Sequence, residues 1–139
     1  MVAVVCGILS GTLASLCGIF ALCTLFGFNH QQYVTMLPKS ITTAIGIGIS
    51  EELGGIVTIT VAVIIITGIL GNVIADTVFH IFKIKNPLAK GLALGTASHA
   101  IGTARAIEMG PVEGAMSSLA VAVAGLLTVI FVSGFAQLI

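Results

Sequence analysis

Charge is what this sequence has least of: five Lys or Arg and five Asp or Glu stand among 139 residues, while apolar residues make up 58%. A soluble domain devotes about a quarter of its residues to charge, so this chain cannot assemble an ordinary water-facing surface and belongs in a lipid bilayer. The few cations form no basic stripe and the formal net charge is zero, which excludes nucleic-acid binding through phosphate neutralisation. Cysteine is equally sparse. Cys6, Cys17 and Cys23 all fall in the first apolar run, an odd number without C-x-x-C spacing, so neither a disulfide framework nor a zinc site is indicated. They read as small packing residues. Lys and Arg are missing ahead of that run, and the run exceeds the length of a signal-peptide core, so it is expected to be retained as a helix. Three scattered histidines without thiolate or carboxylate spacing imply no metal and no cofactor.

What the sequence does have is long apolar runs. Residues 1–28 hold no ionisable side chain except thiols, and residues 56–75 and 114–139 hold none at all. Each is long enough to span a bilayer. The expected fold is therefore an all-α membrane protein with three transmembrane helices. Between the spans lie two segments of another kind, "YVTMLPKSITTAIGIGISEELGG" (33–55) and "LAKGLALGTASHAIGTARAIEMGP" (88–111), both rich in Gly, Ser and Thr. Aligning Ser40 with Thr96 superposes Ala-Ile-Gly in the middle and the Glu52 and Glu108 Glu-x-Gly ends. Each segment is followed by an apolar run, with Gly68 and Leu70 answering approximately to Gly125 and Leu127. The unit reads as an internal repeat of polar segment plus helix.

Lys83, Lys85 and Lys90 cluster in "FKIKNPLAK", whereas "FNHQQYVTM" carries no Lys or Arg. The positive-inside rule makes the first connection cytoplasmic and the second external. That count works if both polar segments are re-entrant, dipping in from opposite sides, which makes the repeat inverted. The alternative is a broken helix that crosses completely. In either geometry, irregular backbone at membrane depth is tolerated only where protein or a watery cavity covers it, so the two segments are the natural walls of a site.

Read as a helix, residues 91–105 place Gly91, Gly95, Ser98 and Gly102 on one stripe, and Thr96, His99 and Thr103 on the next. The small stripe allows a close helix contact, while the second presents hydroxyls and an imidazole beside it. Plain interhelical hydrogen bonding is the bland account of that second stripe. Arg105 and Glu108, three apart, can pair, either as a structural ion pair or with Arg105 left partly free to attract an anion. In the first segment Lys39, Ser40, Thr42 and Thr43 follow Pro38, which suits the first turn of a helix; Lys39 could instead snorkel to headgroups. Two helix starts near the midplane would aim backbone N–H groups at a common point suited to a small carboxylate. His30 reads as solvated, and Asp76 and His80, four apart, as a pair. Ser98 and His99 are adjacent, point about a hundred degrees apart on a helix, and have no carboxylate placed to orient the imidazole. Catalysis is not expected.

"LPKSITTAIGIGISEELGG", "GILGNVIADTVFHIFKIKNPLAKGLALGTASHAIGTARAIEMG" and "EGAMSSLAVAVAGLLTVI" together resemble the LrgB/CidB family of bacterial membrane proteins, whose plastid relatives are glycolate/glycerate translocators. "KGLALGTASHAIGTARA" is the most specific part. The resemblance covers nearly the whole chain as a single domain, 1–139, and corresponds to the C-terminal part of the family, whose members usually carry further helices ahead of it. It implies a multi-pass protein of the bacterial inner membrane. It also implies antiholin-like control of murein hydrolase activity and autolysis with a small LrgA/CidA-type membrane partner, and transport of small monocarboxylates such as glycolate or pyruvate. On this expectation Lys39, Ser40, Thr42, Thr43, Thr96, Ser98, His99 and Thr103 line a carboxylate site, with Arg105 as electrostatic support and Gly95, Gly102, Glu52 and Glu108 as structural residues. The alternative is an antiholin-like regulatory subunit with no transport activity of its own. Homo-oligomerisation is left open.

Overall fold

Residues 2–139 are described by a computed structural model. Six helices follow in order: α1 (Val2–Leu25), α2 (His30–Met36), α3 (Thr43–Glu52), α4 (Val57–Ile81), α5 (Pro87–Met109) and α6 (Pro111–Ala136). Three of them, α1, α4 and α6, are long and apolar enough to cross a membrane. Their 24, 25 and 26 residues extend about 36–39 Å at 1.5 Å per residue, more than the roughly 30 Å of a hydrocarbon core. Large apolar side chains such as Ile66, Leu70, Val73, Leu126 and Ile130 remain exposed along α4 and α6. In water that surface would be a liability; in lipid it is the outer face of the protein.

Local chemistry sets the boundaries. α1 stops where Gly27 turns left-handed (φ 66°), letting the Phe28 N–H reach back to the Cys23 carbonyl at 2.9 Å. α2 begins in a reciprocal cap: Asn29 accepts from the Gln32 N–H, and the Gln32 side chain accepts from the Asn29 N–H. Asn86 caps α5 by accepting from the Leu88 N–H at 2.9 Å, with Pro87 in the first turn.

The first polar segment is broken, though the helix start lies further along than expected. Pro38 does not open a helix; it sits in a turn where the Lys39 N–H donates to the Met36 carbonyl, and α3 starts at Thr43. Pro38 has no N–H to extend the α2 hydrogen-bond ladder, so it ends that helix rather than opening the next; Tyr33, Val34, Leu37 and Ile41 join Leu16, Ile19, Ile49 and Val132 in the largest core cluster. Both limbs of this segment meet the first turn of α4. The Thr35 hydroxyl accepts from the Ile56 N–H at 2.8 Å, and Ser50 and Thr60 hydroxyls meet at 2.8 Å.

The second polar segment, α5, is interrupted at His99, whose backbone (φ 43°, ψ −138°) is not helical. The chain folds back there. Ahead of the break Gly91 and Gly95 press on the α6 backbone at Glu113 and Ser117; beyond it Ile107 packs on Gly114, and the Thr103 and Ser117 hydroxyls meet at 2.8 Å. Both limbs thus lie along the first two turns of α6, and both run down the same half of α4: Lys90 stacks over the Phe79 ring, while Arg105 pairs with Asp76. Among the cysteines only Cys23 is buried in a core cluster; Cys6 and Cys17 are exposed on α1, so close packing within this chain accounts for one thiol of the three.

Candidate functional site

The break in α5 decides where each polar side chain goes. Helical counting puts Thr96, His99 and Thr103 on one stripe, but the non-helical His99 rotates the chain between them, and they face three different helices. Thr96 packs on Gly11 of α1, a contact that leaves no room for a side chain at residue 11. His99 turns to α4, where its Nε2 lies 2.9 Å from the Ile64 carbonyl. A carbonyl only accepts, so Nε2 carries the proton. Gly68 makes that approach feasible, because a Cβ there would fall 2.8 Å from the imidazole Cε1. Thr103 donates to the His99 carbonyl at 2.8 Å and meets Ser117 of α6.

Ser98 is buried against Gly71 of α4, where any added Cβ would overlap its hydroxyl. Gly95 fits against Ser117 and Ala120 of α6, while Gly102 lies tight against Ser98 and the Leu94 carbonyl of its own helix. The small-residue stripe is therefore divided between two partner helices. Arg105 is bound on both sides: Nη2 donates to Asp76, and Nη1 to Glu108 at 2.6 Å. Asp76 accordingly answers to Arg105 rather than to His80. Glu52 is exposed at the end of α3. His30 is exposed, with Nδ1 2.8 Å from the Ile139 carbonyl.

The first polar segment contributes a cationic corner. Lys39 Nζ donates to Ser40 Oγ at 2.8 Å, and Ser15 Oγ of α1 donates to the same oxygen at 2.8 Å. This corner borders a cavity of about 600 Å³ whose walls include Ser10, Ser15, Lys39, Ser40, Leu92 and Thr96. The cavity reaches Asn86 and Leu88 beside the lysine-rich connection at its other end. Ser40 and Thr96, the residues paired at the start of the repeat alignment, both line it. Thr42 and Thr43 are half-buried at the start of α3, Thr42 occupying the cap position without a side-chain capping bond.

Lys39, Ser40 and Thr96 are therefore brought together; Ser98, His99, Thr103 and Arg105 are engaged with α4, α6 or each other. Ser10 and Ser15 on α1 complete the wall and were not singled out from sequence, where α1 reads as a plain span. Their one signal was "SGTLAS" (10–15), a small and hydroxylic stretch within an otherwise apolar run. Chemically the cavity offers one ammonium, several hydroxyls and an apolar lining, a combination suited to a small organic anion.

Comparison with known proteins identifies a family. The family model "LrgB-like family" matches residues 1–138. "Antiholin-like protein LrgB" of Bacillus subtilis (strain 168) is 39% identical over 136 residues, covering 98% of this chain and 59% of that protein. The protein of the same name from Bacillus cereus (strain B4264) is 41% identical over 128 residues, covering 92% of this chain and 56% of its own. The chain thus spans rather more than half the length of these relatives. No solved structure matches. With the family model extending over all but the last residue, this helical membrane protein belongs to the LrgB-like family.

Proposed function

We propose that this chain carries the substrate-binding core of a small-monocarboxylate transporter, with glycolate or pyruvate as representative cargo. One observation supports this above the rest: Ser40 and Thr96, equivalent positions in the two repeats, face one cavity that also holds the Lys39 ammonium. Repeats whose broken helices meet at a common cavity are the arrangement by which many secondary transporters expose one site alternately to two sides.

In this reading both polar segments are re-entrant, the first from the end of the bundle bearing α2 and the second from the lysine-rich end. The repeat is then inverted, and residues 1–139 act as one transmembrane domain. The lysine-rich connection faces the cytoplasm, in a bacterial inner membrane that the chain crosses several times. The cavity extends toward that end, with Lys39 and Ser40 bordering it on the side away from the lysine-rich connection. Lys39, Ser40 and Thr96 contact the carboxylate; Thr42 and Thr43 present the start of α3; Ser98, His99 and Thr103 hold the second break in place, with Arg105 fixing its outgoing limb. No catalytic chemistry enters this cycle. A small LrgA/CidA-type membrane protein is the expected partner, and control of murein hydrolase activity is then a consequence of carboxylate flux.

The relatives' name, antiholin-like, favours a second reading, a regulatory subunit without a transport cycle. Reconstitution into liposomes separates the two. Saturable uptake of labelled pyruvate or glycolate, abolished by His99→Ala and unaccompanied by leakage of a large dye, is the expected result. Leakage without saturable uptake refutes the carrier.

A further inference from the structure

Sharing Ser15, Ser40 and Thr96 with the larger cavity is a second, much smaller one of about 10 Å³, lined also by Thr12, Thr128 and Leu37. That is close to the volume needed for a single water-sized group. Among the described residues, one buried side-chain polar atom has no hydrogen-bond partner, and it is Thr12 Oγ1 on this wall. Thr12 is 3% exposed. A buried hydroxyl without a partner is uncommon enough to need an explanation.

The neighbouring hydroxyls can be sorted by where their protons go. Thr96 donates to the Leu92 carbonyl and Thr128 to the Ala124 carbonyl, each at 2.8 Å, so both protons are committed to their own helices. Ser15 spends its proton on Ser40. Ser40 Oγ accepts from both Ser15 and Lys39, which occupies its two lone pairs and leaves its own proton free. Thr12 has its proton free as well. Two unspent O–H donors therefore border a one-atom space, and the Lys39 ammonium beside them has two N–H groups still to give.

We infer that Thr12 is a ligand contact: the small cavity receives one carboxylate oxygen, held by the hydroxyls of Thr12 and Ser40, while the rest of the molecule occupies the larger cavity beside Lys39. This rests on the carrier reading above, and it adds α1 to a site otherwise built from the two polar segments. The space admits a single unsubstituted oxygen, so the acid enters carboxylate first.

The test uses the full chain in nanodiscs of zwitterionic lipid, so that anionic headgroups do not compete, with labelled pyruvate and glycolate as probes. Equilibrium binding and thermal unfolding without ligand are measured for the wild type, Thr12→Val and Thr12→Ser. Valine keeps the shape and removes the hydroxyl. Thr12→Val is expected to weaken binding about tenfold or more, the loss of one charge-assisted hydrogen bond, while its melting temperature stays level or rises. Thr12→Ser should bind within about threefold of wild type. Wild-type binding retained in Thr12→Val overturns the inference and leaves the carrier reading intact. Weakened binding together with a lowered melting temperature assigns Thr12 a structural role and also overturns it. Absence of saturable binding by the wild type removes both.

Discussion

Substituting Gly95 by alanine should destabilise the protein, although alanine is the better helix former. In an exposed helix the exchange gains about 1 kcal/mol. At residue 95 the new methyl would meet the Ser117 carbonyl oxygen and lie 2.7 Å from the Ala120 Cβ, both on α6. Neither obstacle can rotate away, since one is backbone and the other a side chain without a χ angle. α5 must therefore move off α6, and overpacking of this kind costs about 1–3 kcal/mol. Offset by propensity, the net loss is up to about 2 kcal/mol. Gly91 meets the Glu113 carbonyl oxygen in the same way, so the double substitution should lose more than either alone but less than their sum, because one displacement of α5 relieves both contacts. At Gly18 and Gly134 an added methyl would have nothing within 4 Å, so alanine there serves as a control expected to be neutral or stabilising. Thermal unfolding in nanodiscs measures all four. Gly95→Ala melting with Gly18→Ala would refute the close α5–α6 contact.

Three further outcomes follow from the same geometry. His99→Gly should be more stable than His99→Ala by about 1–2 kcal/mol, because both lose the bond to the Ile64 carbonyl but only glycine relaxes at φ 43°; equal melting temperatures would show that His99 carries no backbone strain. Thr60, fully buried, joins Thr35 and Ser50 at 2.9 and 2.8 Å, so Thr60→Val should cost about 1 kcal/mol and speed amide exchange at Ile56, whose N–H depends on the same Thr35; unchanged exchange would exclude the coupling. Arg105→Gln should leave the KM for pyruvate or glycolate unaltered in the uptake assay, because both sides of the guanidinium are already engaged by Asp76 and Glu108; a several-fold rise in KM would place Arg105 at the ligand.

The sequence alone determined the solvent this protein lives in, its three spans and its two irregular segments, because burial of charge and exposure of apolar surface are costly wherever the chain folds. Ser40 and Thr96, aligned in the sequence, both line the larger cavity, one from a turn and the other from within α5. Helical counting within residues 91–105 was less informative, since a 3.6-residue period assigns faces only while every intervening φ and ψ stays helical, and His99 does not. Pro38 reads as a helix start, yet it directly follows the α2 C-cap Leu37, where its missing N–H ends the hydrogen-bond ladder instead.

Only the tertiary structure decided which hydroxyls still have a proton to give. Thr12, Ser15, Ser40, Thr96 and Thr128 are similar residues in the sequence, yet three have their protons bound and two do not. A hydroxyl's chemistry depends on the partner it has found, and that partner is supplied by chain folding across 25 residues for the Ser15–Ser40 bond. Composition put this chain in a membrane; the fold selected which of its few polar groups face the cavity.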